Sequence, residues 1–417
     1  MAHSHAINLD PNEKRELGDL GKKLFIRWGV IGLIAIVASW LLAASEDAAT
    51  KRFFYSYLVT YSFLLSISLG ALFFVMIQHI ARAGWSVTVR RVAELLAANV
   101  NTMVVLFIPI AYGLLFEDIY HWTHAEGDPL VEGKAAYLNV GFFLFRFFIY
   151  FTIWGGLSTY FLNRSLRQDR DGNPEWTLEM QKASTIGIIL FGLSITYAAF
   201  DLLMSLDPHW FSTIFGVYYF GGSMMMFFAT IILVLQYLQR RGLLTECVNT
   251  EHYHDLGKFG FAFIVFWTYI AFSQFLLIWY GNIPEETIWY ARRQVGGEFI
   301  GPWTIVTLIL LFGHFFIPFL GMMSRHVKRN SWSLQFFCIW LIAMHWLDMF
   351  WLVMPELGEY HSANPAEARI PFGLVEIAGV IGLVGLYIAG LARVASGRKL
   401  VPENDPRISE ALAFHNM

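Results

Sequence analysis

The chain has 417 residues, of which 56% are hydrophobic and 15% charged, with a mean hydropathy of +0.51. A soluble protein of this length would carry far more charge, so most of its solvent is lipid. The net charge of −3 gives no support to a nucleic-acid partner. The two cysteines, Cys247 and Cys338, fall outside any CxxC or CxxCH pattern, which removes a disulfide framework, a thiolate metal site and covalently attached haem. Residues 1–23 are polar and lack an apolar core followed by a small-residue cleavage site, so no cleaved signal peptide is expected.

A bilayer core takes about 20 apolar residues per helix. Runs of that kind fall at 24–44, 53–80, 91–116, 138–162, 180–204, 211–238, 257–280, 300–323, 331–354 and 371–394. They are continuous rather than alternating, which excludes a strand barrel. The expected fold is an all-α integral membrane protein of about ten spans. A polar tail at 1–23 precedes a transmembrane domain at 24–394, and a second tail fills 395–417.

Lys and Arg set the orientation. The N-terminal tail holds Lys14, Arg15, Lys22, Lys23 and Arg27, and the C-terminal region adds Arg393, Arg398, Lys399 and Arg407. Alternate connections on that side carry Arg82, Arg90, Arg91, Arg164, Arg167, Arg170, Lys182, Arg240, Arg241, Lys258, Arg325, Lys328 and Arg329. The other side has only Lys51, Arg52, Lys134, Arg292, Arg293 and Arg369. Both termini are therefore expected in the cytoplasm. Two outer loops, 116–134 and 282–298, are acidic, aromatic and too long to be bare turns; Tyr120, Trp122, Trp289 and Tyr290 suit a partner contact.

Ionisable groups at membrane depth are costly and face protein or water rather than lipid. An outer layer collects Arg146, Asp201, Gln274, His345, Asp348 and Glu376, with His345 and Asp348 on one helical face. These are candidates for quinone binding or proton handling. Arg146 is the expected partner of Asp201, and Tyr197, one turn before it, a further hydrogen-bond donor. The plainer reading of Arg146 and Asp201 is an ion pair that locks the bundle. Asp207, next to Pro208, reads as turn chemistry at the water boundary. An inner set holds Gln78, His79, Glu94, Asn101 and His314, candidates for an inner proton path. Of these, Gln78, His79 and Glu94 have the alternative of reaching the headgroups. His314 and His345 are expected about 10 Å apart in depth, a poor clamp for a haem. Pro109 and Pro318 fall within spans 3 and 8.

Three stretches, "FDLLMSLDPHWFSTIFGVYYFGG" (200–222), "SQFLLIWYGNIPEETIWYARR" (273–293) and "HWLDMFWLVMPE" (345–356), carry a resemblance that "SYLVTYSFLLSISLGALFFVMIQHIARAGW" (56–85) supports. With them the chain resembles the polysulfide-reductase (NrfD-like) family of integral quinone-interacting membrane subunits, and within it the F-type subunits of bacterial alternative complex III. The resemblance implies two four-helix bundles, 53–204 and 211–354, flanked by the first and tenth spans. It further implies a place in a respiratory quinol:cytochrome c (or other electron-acceptor) oxidoreductase of the bacterial inner membrane. The subunit itself would hold no redox centre, no haem and no iron–sulfur ligands. Menaquinone or menaquinol is the implied quinone. The implied partners are a paralogous quinone-binding membrane subunit, an iron–sulfur subunit and cytochrome c subunits, with a terminal oxidase as a further associate. The competing readings from the residues alone are a stand-alone secondary transporter or proton channel, and a scaffold subunit.

Overall fold

The computed structural model describes residues 9–45, 50–117, 119–124, 127–295, 300–358 and 369–415. Parts of both tails, of the two outer loops and of the connection before span 10 therefore lie outside the described residues. Among the described residues ten helices are long and apolar enough to cross a membrane: α1 Asp19–Ala44, α2 Thr50–Ile80, α3 Gly84–Phe116, α4 Val140–Asp171, α5 Glu175–Leu206, α6 Phe215–Arg240, α7 Thr250–Gly281, α8 Pro302–Met323, α9 Ser331–Glu356 and α10 Leu374–Ala395. Each overlaps one expected span. The chain is an all-α, multi-pass membrane protein. An even number of crossings puts both termini on one face, called here the terminal face; the opposite one is the loop face.

Helices α2–α5 pack in a ring as one bundle and α6–α9 as a second, joined along α2 and α6. These two are the most enclosed of the spans, as their central place between the bundles requires. Close approach explains where they touch. A Cβ on Gly70 would run into the Ser223 carbonyl and the Phe227 side chain, so only glycine lets α2 and α6 meet there. The α1–α10 pair flanks the bundles by the same device, since a Cβ on Gly32 would come within 2.8 Å of Leu386 N and 2.9 Å of Gly382 O. Most of α1 is otherwise exposed, with Leu33, Ile34 and Val37 facing outward as lipid contact requires.

Two spans are interrupted. Helix α3 runs in three pieces, Val87–Ala98, Val100–Leu106 and Ile108–Phe116, the last opening with Pro109. In α8 a π-turn, Leu311–Phe316, separates Pro302–Leu310 from Ile317–Met323. Pro318 has no N–H to give the carbonyl of His314, so the regular ladder fails there and a wider turn takes its place. The breaks fall in the second helix of one bundle and the third helix of the other.

Candidate functional site

Near the loop face of the first bundle, Asp201 lies in the last turn of Glu175–Leu202 and is fully buried. Arg146 of α4 meets it with two parallel hydrogen bonds, Nε to Oδ2 at 2.8 Å and Nη2 to Oδ1 at 2.9 Å. Tyr150 donates to Oδ2 at 2.7 Å, and Arg146 Nη1 donates to the Tyr137 carbonyl at 2.8 Å. The rings of Tyr137 and Phe142 cover the guanidinium at 3.8 and 4.4 Å. The expected partner is therefore in place, but the phenol is not the expected one. Tyr197 points outward and is 45% exposed, while Tyr150, on the facing helix α4, donates instead. Both carboxylate oxygens and three of the five guanidinium N–H groups are engaged within the chain, the arrangement of an ion pair that locks the bundle.

At the loop-face end of the second bundle, three segments far apart in sequence converge. Asp207 takes up the expected turn, its Oδ1 accepting from His209 N at 3.0 Å, but it is buried rather than at the water boundary. Its other oxygen accepts from Arg292 Nη1 at 2.6 Å, and that same nitrogen reaches Glu356 at 2.8 Å. Arg293, with no exposed surface, donates to Glu356 at 3.1 Å and to the carbonyls of Trp289, Trp351 and Leu352 at 2.9, 3.1 and 2.8 Å. The last two are orphan carbonyls at the end of a helix, where a cation also meets the negative pole of the dipole. Its guanidinium lies 3.4 Å over the Trp289 ring, which stacks on Trp210 at 4.3 Å and meets Trp351 edge-on. Burial pulls the Arg293 guanidinium down to about 10, opposed by Glu356, so it remains charged at neutral pH. Gln274 joins from α7, accepting from Ser212 at 2.9 Å and donating to Tyr290 at 3.3 Å.

This packing corrects the expectation for the loop aromatics. Tyr120, Trp122, Trp289 and Tyr290 are 0, 5, 4 and 7% exposed, folded back onto their own bundle. The sequence shows amphipathic rings in a loop and cannot tell a partner's surface from the chain's own.

Below Arg293 lies a buried polar cluster. Tyr218 donates to Asp348 Oδ1, whose Oδ2 has no hydrogen-bond partner and sits 3.8 Å from His345 Nδ1. His345 Nε2 is 3.2 Å from the Ser66 hydroxyl on α2. The His314 ring packs 4.0 Å from Trp267 and 6.0 Å from His345, centroid to centroid. Both His314 nitrogens and His345 Nδ1 are also buried without partners, and Trp267 Nε1 is turned toward Asp348 without a hydrogen bond of regular geometry. The expected separation in depth between the two histidines is thus wrong. Counting residues from helix ends assumes straight, parallel rods, and α8 carries the π-turn at His314 itself. His314 belongs with the outer group.

The remaining candidates serve other ends. Glu376 lies in the first turn of α10, where it accepts from Gly373 N at 2.7 Å. Arg52 of α2 holds it bidentately at 2.8 and 2.7 Å. It is a cap and a clamp. Glu94 does not reach for headgroups. It is buried between Arg90 and Arg91, which also bind Asp405 at 2.5 Å and Asp169 at 2.8 Å, so the C-terminal tail closes over this end. Gln78 and His79 are likewise buried, with Gln78 Oε1 and His79 Nε2 unpartnered beside a cavity of about 10 Å³. Asn101 is exposed and bonds to Ala98 O at 3.0 Å, which removes it from any interior path.

No protein-family model and no curated protein sequence matches the chain. Arg292, Arg293 and Glu356 are the residues that sequence reasoning missed as site residues. The available signal was two adjacent arginines on the side otherwise poor in them, beside an aromatic pair.

Proposed function

We propose that the chain is a membrane subunit of a respiratory complex that oxidises quinol and passes electrons to cytochrome c or another acceptor, as in alternative complex III. Within it, this subunit handles protons rather than holding a redox centre. One observation carries the reading: the three segments on which the resemblance rests, 200–222, 273–293 and 345–356, meet at a single buried polar site. General greasiness would not bring them together.

Quinol oxidation releases two protons with each electron pair, and a proton acceptor must lie near where they appear. Asp348 suits this better than Asp201, because one of its oxygens is free of partners while both oxygens of Asp201 are taken. His345 stands next to it as the relay, and Ser66 fixes the far ring nitrogen. The quinol site belongs to a paralogous membrane subunit, with iron–sulfur and cytochrome c subunits, and a terminal oxidase where one associates. The location is the bacterial inner membrane with both termini in the cytoplasm. The stand-alone transporter reading is disfavoured by the helix breaks, which are not at corresponding places in the two bundles.

The test is gentle affinity purification from native membranes. Covalent haem, iron–sulfur signals and quinol oxidation in the same particle are expected. Asp348→Asn should lower the proton yield per electron in an assembled particle. A chain that purifies alone and redox-silent overturns the proposal.

A further inference from the structure

Resting on the reading of Asp348 as a proton-handling group, we infer that Arg293 is an electrostatic seal, a fixed buried cation that closes the Asp348 cluster to protons from the loop face.

From the loop face inward the groups come in order. Arg292, partly exposed, bridges Asp207 and Glu356. Arg293 follows, wholly buried, and beneath it lie Tyr218 and Asp348. The carbonyls that Arg293 caps, Trp351 and Leu352, are three and four residues beyond Asp348 on the same helix, one turn away. Arg293 is also within Coulombic reach of Tyr218. The guanidinium is therefore the innermost member of the Asp207–Arg292–Glu356 network, between its other charges and the Asp348 cluster.

Position alone would make it a cap; its charge and rigidity make it a barrier. Four acceptors in the chain and the flat ring of Trp289 fix the guanidinium, leaving it no swing toward water. A fixed positive charge in a water-poor constriction repels hydronium and other cations far more than it would in bulk water. Glu356 and Asp207 offset the charges of Arg292 and Arg293, but both acids lie on the loop-face side. Within this network Arg293 is the cation placed toward Tyr218 and Asp348. Helix capping does not require arginine to be buried over an acid that has a free oxygen, whereas a seal does.

The experiment is passive proton flux into liposomes containing the purified protein, or the particle in which it purifies, with a pH-sensitive dye inside and a potassium diffusion potential as driving force. Wild type is expected to be tight. Arg293→Ala should raise the flux roughly ten-fold, Arg293→Lys should stay near wild type, and Arg293→Ala with Asp348→Asn should return toward wild type. Glu356→Gln leaves the charge and the three backbone acceptors in place and should remain tight. If Arg293→Ala does not fold, Arg293→Gln carries the same expectation. Tight Arg293→Ala liposomes overturn the seal, as does a double variant as leaky as the single one, or a Glu356→Gln leak equal to that of Arg293→Ala. No quinol or acceptor is present, so failure here leaves the respiratory reading standing, and absence of redox partners overturns that reading alone.

Discussion

Asp201 and Asp348 are both fully buried carboxylates near the loop face, yet their surroundings differ in the one respect that matters for protons. Asp201 accepts from Arg146 twice and from Tyr150 once. Removing one partner of such a pair leaves an uncompensated buried charge and costs on the order of 3–5 kcal/mol. Asp201→Ala is therefore expected to lower stability by about that amount in detergent-phase unfolding. Tyr150→Phe, which loses one bond to a charged group, should cost about 1.5–3 kcal/mol. Neither should alter proton yield in whatever particle still assembles. A stable Asp201→Ala protein with a reduced proton yield would return Asp201 to the proton path.

At the scale of elements, glycine decides which helices can touch. Helix α1 has little other contact than α10, and Gly32 is where their backbones approach, so Gly32→Leu should force the pair apart. The expected loss is about 1–3 kcal/mol from overpacking, and engineered cysteines at Gly29 and Ala389, whose Cβ atoms would lie 3.8 Å apart, should cross-link less efficiently. Efficient cross-linking in the leucine variant would show that the contact adapts. The loop after α3 depends on pH in a definite direction. Asp128 caps the short helix Pro129–Gly133 and is bound by His209 at 2.6 Å. Desolvation pushes its carboxyl up, but hydrogen bonds from His209, Val131 and Leu130 outweigh this and hold it below the usual carboxylate range. A depressed folded value contributes stability above the unfolded value, about 3.9, and that contribution is lost as pH falls through the lower folded one. Hydrogen exchange in 129–133 should stay slow at pH 5–7 and quicken only below about pH 4. Quickening near pH 6 would mean that another group controls the loop.

For the whole molecule, the ten crossings put both termini on one face, and the uneven distribution of Lys and Arg is the ground on which we propose that this face is the cytoplasmic one. Lys134→Cys should react with an impermeant thiol reagent on the outside of the membrane, and Arg240→Cys should not. The opposite pattern would invert the protein. The same face is held by the tails: Leu400 N donates to Arg15 O at 2.7 Å, Leu244 N to Lys14 O at 3.3 Å, and Arg15 pairs with Glu403 at 3.1 Å.

The ten spans could be read from the sequence because the signal is local. Twenty apolar residues in a row have to satisfy their backbone internally in lipid, and only a helix does so within one segment. The pairing of Arg146 with Asp201 was legible for a similar reason, since two opposite charges at one depth have few other places to go. What sequence could not decide is which way a side chain turns when several helices compete for it. Asn101 faces outward and Tyr150 replaces Tyr197, because rotation about the helix axis is set by neighbours that a single apolar span does not name. The meeting of His314 with His345 depends on a π-turn that only the packed bundle reveals. Arg292 and Arg293 looked like loop charges until tertiary structure folded their loop over the end of the second bundle. There the carbonyls of a distant helix and Glu356 gave them partners strong enough to offset the loss of water.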